Sequence, residues 1–275
     1  MSPHSEISIG GIIPPIDERY DLREITTFIP NKKLPIHNWF YFKEGFSADF
    51  VRLALTWMDR TQGVILDPFM GVGTTPLVAK EQGLRSVGID VSPLMVLIAK
   101  VKCRDYDIDR LITAADRIFS VKFSRPDLGR IPKFIRAYFS RYTLEDVIFF
   151  RDLINDIDEV ETREFLLVGL ISATARASYA YRDGSLLKIV KKAVPPFRKF
   201  YRARIRRMIK DLEKSDLHGP EPDLYLGDAR LLKEVQDSSI DLVITSPPYL
   251  NKIEYTRVYA LEYALFLPNA EPNQM

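Results

Sequence analysis

The sequence predicts an α/β fold carried by a parallel sheet. Three observations predict it. Two strand–turn–helix units follow one another between Gly63 and Lys102, and the strands end in the acids Asp67 and Asp90. A second strand-bearing segment begins near residue 223, and its last strand runs into Pro247-Pro248. Between these halves the pattern is helical. The expected architecture is therefore a sheet with a large helical insertion between its second and third strands. The expected divisions are an arm over residues 1–36, a first core part over 37–103, the insertion over 104–222 and a second core part over 223–275.

The chain has 275 residues, 46% hydrophobic and 28% charged, which is ordinary for a globular protein able to bury a core. A net charge of +2 announces no nucleic-acid partner globally, so any such signal has to be local. Cys103 is the single cysteine; a disulfide framework is excluded, and a reducing cytoplasm is the expected compartment. The longest apolar run, Phe165 to Ala175, is too short for a bilayer, and no membrane partner is expected. No metal site is expected either.

In order, the arm carries Gly10-Gly11, Pro14-Pro15, Pro30 and Pro35 and reads as an extended leader lying over a domain. His37 to Ser47 is an aromatic-rich loop, and Ser47 is placed to cap a helix from Ala48 to Arg60. Gly63 breaks that helix. Val64 to Asp67 is a short buried strand, followed by the turn Pro68-Phe-Met-Gly-Val-Gly-Thr-Thr75 and a helix from Pro76 to Gly83. Glycine at 71 and 73 permits close backbone approach to a ligand, and Thr74 or Thr75 can cap the next helix. Ser86 to Asp90 is the second strand. Its terminal acid stands about 20 residues beyond the turn, where βαβ nucleotide-binding units keep a ribose-binding carboxylate. Ser92-Pro93 opens the next helix, to about Lys102.

In the insertion, Thr143 is placed to cap a helix carrying Val147 to Ile157, and a largely apolar helix is expected from Glu161 to Tyr181. Between Arg182 and Lys210 the chain has eleven Lys or Arg against Asp183 alone, so 11 − 1 leaves +10 in a protein of net +2. Most charge runs are solvated helix faces; this concentration favours phosphate contact, with Lys191, Lys192, Arg198, Lys199, Arg202, Arg206 and Lys210 as the candidates. Leu224 to Asp228 reads as the third strand and Asp241 to Thr245 as the fourth. Ser246-Pro-Pro-Tyr249 then presents a hydroxyl, carbonyl acceptors and an aromatic face at a strand's carboxyl end, where open α/β sheets bind ligands. An aromatic helical stretch, Ile253 to Leu267, closes the pattern.

Together, Asp67-Pro-Phe-Met-Gly-Val-Gly73 and Ser246-Pro-Pro-Tyr249 resemble the cofactor and catalytic motifs of the S-adenosylmethionine-dependent amino-methyltransferases of DNA, which act on cytosine N4 or adenine N6. His37 to Ser47 is a looser match to the family's aminoterminal cofactor motif. The resemblance implies a Rossmann-like methyltransferase sheet. It implies that Asp67, Phe69, Gly71, Gly73 and Thr74 line the methionine side of S-adenosyl-L-methionine, with His37 and Ser47 contributing from the aminoterminal motif. Asp90 would hold the ribose hydroxyls and Asp228 would lie near the adenine amino group. The implied reaction is direct transfer to a base flipped from double-stranded DNA, in a restriction–modification setting. Tyr249 would stack on the base, while the Ser246 hydroxyl and the Pro247 carbonyl, in a loop stiffened by Pro248, accept hydrogen bonds from its exocyclic amine. Serine before Pro-Pro-Tyr leans to cytosine N4. Adenine N6, an RNA base, and a non-catalytic cofactor-binding fragment or subunit remain as alternatives. The family's sheet has further strands after the fourth, so a second polypeptide or second copy is expected to complete it.

Overall fold

The computed structural model describes residues 18–183, 186–248 and 258–268. Four parallel strands form the central sheet: β1 (Val64–Asp67), β2 (Arg85–Asp90), and, from the second core part, a strand at Asp223–Leu226 and another at Leu242–Val243. In chain order the last two are β5 and β6, because two strands of the insertion precede them. The spatial order is β5-β2-β1-β6. This is the doubly wound 3-2-1-4 arrangement, in which strand order reverses beside β1. Ile65 and Leu66 of β1 pair with Leu242 and Val243 on one side, and β1 pairs along its whole length with β2 on the other.

Each strand is short because turn chemistry cuts it. The ladder at β6 covers two residues, fewer than the five expected from the apolar run. Asp241 N donates to Val64 O and Ile244 N to Leu66 O, both at 3.0 Å, so the extended segment continues one residue each way. The Asp241 carboxylate also accepts from Val64 N at 2.8 Å, pinning the strand's entry. Sheet registers put Leu66, Val87, Ile89, Tyr225 and Val243 on one face, where Tyr225 and Val243 are exposed.

The helices pack on the other face. They are α1 (Ala48–Trp57), α2 (Thr74–Glu81) and α3 (Pro93–Cys103). Ser47 Oγ accepts from Phe50 N and caps α1, and Ser92 Oγ accepts from Met95 N and caps α3, with Pro93 at its first position. A small core of Val51, Leu55, Ile65, Val78, Leu84 and Ile244 joins α1 and α2 to β1 and β6.

The insertion holds α4 (Ile108–Ser120), α5 (Lys133–Arg136), α6 (Arg141–Asn155), α7 (Val160–Ala177) and α8 (Phe197–Lys214). α9 (Ala260–Phe266) packs against α7. Buried α7 is the centre of this layer: it touches α3, α4, α6 and α8. One continuous core runs from Phe28, Trp39 and Phe40 through α3 into these helices.

Several expectations need correction. The cap of α6 is Ser140, whose Oγ accepts from Thr143 N; Thr143 itself is buried in the first turn. α7 stops at Ala177 instead of reaching Tyr181. Ser178 is extended, and an antiparallel ribbon follows, β3 (Ala180–Asp183) paired with β4 (Leu186–Ile189), so the insertion is not wholly helical. The arm is not a mere leader from Phe28 onward: Phe28 and Ile36 are core, and Asn31 bridges Phe46 O and Ala48 N. No helix among the described residues is long and apolar enough to cross a membrane.

Candidate active site

The sheet brings its four carboxyl ends to one edge in the order Asp228, Asp90, Asp67, Ser246, and the reversal of strand order falls between the last two. Crevices at such reversals are where open α/β sheets hold ligands. There a pocket of about 30 Å³ is lined by Phe42, Glu44, Gly45, Phe46, Asp67, Phe69, Met70, Val72, Thr74 and Ser246. Thus the glycine turn at Gly71 and Gly73 and the serine–proline corner that starts at Ser246, far apart in sequence, open onto the same space.

The turn after β1 is held by its own backbone. Met70 N donates to Ile89 O and Gly73 N to Met70 O. Gly71 and Gly73 have φ of +52° and +78°, the left-handed region that glycine tolerates. A β-carbon on Gly73 would stand 2.8 Å from the Ala99 methyl; on Gly71 it would stand 2.9 Å from the Phe42 ring. A side chain at Gly73 would therefore disturb the packing of the turn on α3, and one at Gly71 would displace Phe42.

Asp90 fixes the turn from β2. Its two carboxylate oxygens accept from Gly71 N at 2.9 Å and Ser92 N at 2.8 Å, and burial raises its pKa. Asp67 is 1% exposed. One of its oxygens accepts from Phe69 N and from the Thr245 hydroxyl, the latter at 2.8 Å. Burial pushes its pKa up to about 6, and nearby Asp90 adds to the effect, while those hydrogen bonds oppose it. The Thr245 bond is a direct tie between the turn and the residue preceding Ser246. Ser246 is half-buried at the pocket wall, and Pro247 and Pro248 are exposed beside it. Tyr249 lies outside the described residues.

Other expected cofactor residues are placed elsewhere. His37 is buried; its Nε2 meets Glu81 at 3.1 Å, its Nδ1 has no partner among the described residues, and burial lowers its pKa. Ser47 spends its hydroxyl on capping α1 and on Ile25 O. Both organise the aromatic loop rather than face the pocket. Asp228, at the far end of the edge, is held at about pKa 2 by hydrogen bonds from Arg230. Phe42 and Glu44, between the two misplaced residues, are the ones that reach the pocket. The aromatic composition of residues 37–47 marks this loop in the sequence, but which of its side chains line the pocket depends on packing.

Phe42 is backed by a stack. Tyr259 lies nearly parallel to it at 6.3 Å, its hydroxyl donates to Glu44, and the Arg182 guanidinium sits over the Tyr259 ring, 5.1 Å from its centroid. Arg182 also donates to Val258 O and pairs with Glu262.

The basic candidates divide. On α8, residues Phe197, Tyr201, Ile205, Met208 and Ile209 are buried, leaving Lys199, Arg202, Arg206 and Lys210 on the outer face. Arg202 donates to Phe119 O and covers that ring. Arg198 is not a free cation: it donates to Asp146 at 2.7 Å and lies over Phe123, Phe149 and Phe150. Lys191 and Lys192 are exposed just after β4.

The residues around the pocket suit a cationic, partly aromatic ligand: two acids, three phenylalanines and no lysine or arginine line it. A nucleoside-bearing sulfonium fits that donor set. Among the described residues no group of three or more His, Cys, Asp or Glu is arranged to hold a metal ion.

The sequence matches the DNA methylase family over residues 23–101. It is 29% identical over 284 residues to the type II methyltransferase M.BsoBI of Geobacillus stearothermophilus, covering 88% of this chain and 55% of that protein. It is 26% identical over 289 residues to the type II methyltransferase M.AvaI of a Nostoc species, covering 88% and 56%. A shorter match, 36% over 118 residues, joins it to M.MjaII of Methanocaldococcus jannaschii, covering 40% and 22%. The chain spans about half the length of the first two relatives.

Proposed function

We propose that the chain is a DNA amino-methyltransferase that transfers a methyl group from S-adenosyl-L-methionine to the exocyclic amine of a flipped DNA base, with cytosine N4 favoured; the family match over residues 23–101 and the likeness to type II methyltransferases support the reading. The observation that carries the reading is the shared pocket: Ser246 and the turn residues Asp67, Phe69 and Thr74 line one space, with Thr245 bonded to Asp67.

The cofactor supplies an electrophilic methyl on a positive sulfur; everything else falls to the protein. Asp67 and Glu44 put negative charge where a cationic ligand belongs, in surroundings dry enough to strengthen the attraction. Asp90, anchored by two backbone amides, keeps a free lone pair on each carboxylate oxygen that could accept from ribose hydroxyls. The Ser246 hydroxyl and the Pro247 carbonyl accept hydrogen bonds from the amine, drawing its lone pair out of the ring and aiming it at the methyl. Tyr249 supplies the stacking face. Alignment of two bound partners accounts for most of the rate, since no covalent intermediate is required. The outer face of α8, with Lys199, Arg202, Arg206 and Lys210, offers phosphate contacts.

The preference for cytosine rests on the resemblance alone, in which serine before Pro-Pro-Tyr goes with cytosine-N4 enzymes. Transfer of labelled methyl groups to duplex DNA, followed by digestion to nucleosides, tests the reading. N4-methylcytosine is expected. N6-methyladenine would reassign the base, and transfer to tRNA but not to duplex DNA would reject the substrate.

A further inference from the structure

The β3–β4 ribbon is the part of the insertion that the structure wires to the pocket. Its strands pair Tyr181 with Lys188 and Arg182 with Leu187. Alternation puts Tyr181 and Lys188 on one face, and the bond from Val190 N to Tyr179 O extends that face to Val190. Tyr181, Lys188 and Val190 are exposed, and Lys191 and Lys192 follow at once; Arg176 lies close enough to Lys192 to help lower its pKa.

The opposite face is fastened. Arg182 donates to Val258 O at 3.1 Å, pairs with Glu262 and covers Tyr259. Tyr259 backs Phe42, and Phe42 lies over Gly71 at the pocket. Tyr138 contributes a second fastening through its hydroxyl to Leu187 O. From ribbon to pocket there are thus three side-chain steps: Arg182, Tyr259, Phe42.

We propose, on the methyltransferase reading above, that this ribbon is the duplex-docking element, laying Tyr181, Lys188 and Val190 into a major groove with Lys191 and Lys192 on the flanking phosphates. A two-stranded ribbon fits the width of that groove in B-form DNA, and the ribbon's outer face and its cationic exit match a polyanion carrying base edges. The fastening to Tyr259 holds the docked duplex beside the pocket that receives the flipped base. The major groove of A-form RNA is too deep and narrow for such an element.

The test measures binding of a short mixed-sequence DNA duplex at several salt concentrations, with cofactor binding by calorimetry and melting of each variant as controls. Lys191→Ala/Lys192→Ala is expected to lower the slope of log affinity against log salt by about two, one per lost phosphate contact. Tyr181→Ser is expected to weaken binding several-fold at every salt concentration with the slope unchanged. The control pair Arg117→Ala/Lys122→Ala, exposed cations of and after α4, should change neither. An unaltered slope in the ribbon double variant overturns the proposal, as does equal affinity of the wild type for an RNA duplex of the same sequence. Loss of cofactor binding along with duplex binding in the ribbon variants also overturns it, because the ribbon would then only shape the pocket. A wild-type chain that binds cofactor but no duplex rejects the docking element alone; one that binds duplex but no cofactor rejects the pocket reading instead.

Discussion

The two halves of the sheet are built differently. β1 pairs along its whole length with β2, whose later residues also pair with β5, and the two strands lead into helices that start on Gly73 and Ser92. β6 is two residues long, with Val243 52% exposed, and the loop it carries borrows its order from the other half: Asp241 from Val64, Thr245 from Asp67. The glycine-turn side is a self-supporting scaffold, and the Ser246 corner is hung from it. Damage to the first half should therefore spread to the second, while damage to the second should stay local.

The hardest test of that asymmetry is Gly73→Val. Left-handed backbone strain of about 1–2 kcal/mol adds to overpacking against Ala99 of about 1–3 kcal/mol. Urea melts should show a loss of that combined size, with cofactor binding lost as well; a stable variant would show that the turn is not the scaffold. Ser246→Ala is the converse. Removing one hydrogen bond to the reacting amine should slow transfer roughly 10- to 100-fold, while calorimetry finds cofactor affinity unchanged. A matching fall in affinity would erase the distinction between the halves.

Asp67 allows a pH test. Its folded pKa of about 6 lies above the model-compound value of 3.8, so the folded protein keeps this proton longer than the unfolded chain does. The group's contribution to stability is accordingly full below pH 3.8 and lost as pH rises through 6. A cationic ligand needs the carboxylate, so its affinity should fall about tenfold per pH unit on the acid side of that value. Asp67→Asn should flatten the profile; an unchanged profile would assign the titration to another group. The smallest effect expected is that of Thr245→Val, which removes the 2.8 Å tie. A loss of about 1 kcal/mol, seen as a few-fold slower transfer with normal melting, would confirm that the corner is merely steadied by it.

What the sequence made legible follows the same division. The glycine turn, Asp90 at the end of β2 and the Pro-Pro stop are local signals, because backbone sterics within a few residues dictate them. Ser47 was legible as a helix cap for the same reason, and its assignment to the ligand came only from the resemblance. Phe42 and Tyr259 were not legible, since their partnership crosses more than 200 residues and depends on packing. The ribbon was missed although Asp183-Gly184 is a hairpin signal: the apolar periodicity of α7 carried the helix expectation past Ala177. Arg198 looked like its neighbours on α8 because charge patterns do not show which cation finds Asp146 and three rings.

Thr245 sits where these themes meet. A hydroxyl can give or take a proton in a hydrogen bond, so its link to Asp67 survives whether or not that acid is ionised. Titration can thus change what the pocket attracts without changing where its wall stands. Charge and shape at this corner are separately adjustable: on the proposed function, a shift in acidity would tune the grip on a methyl donor while Ser246 keeps its place.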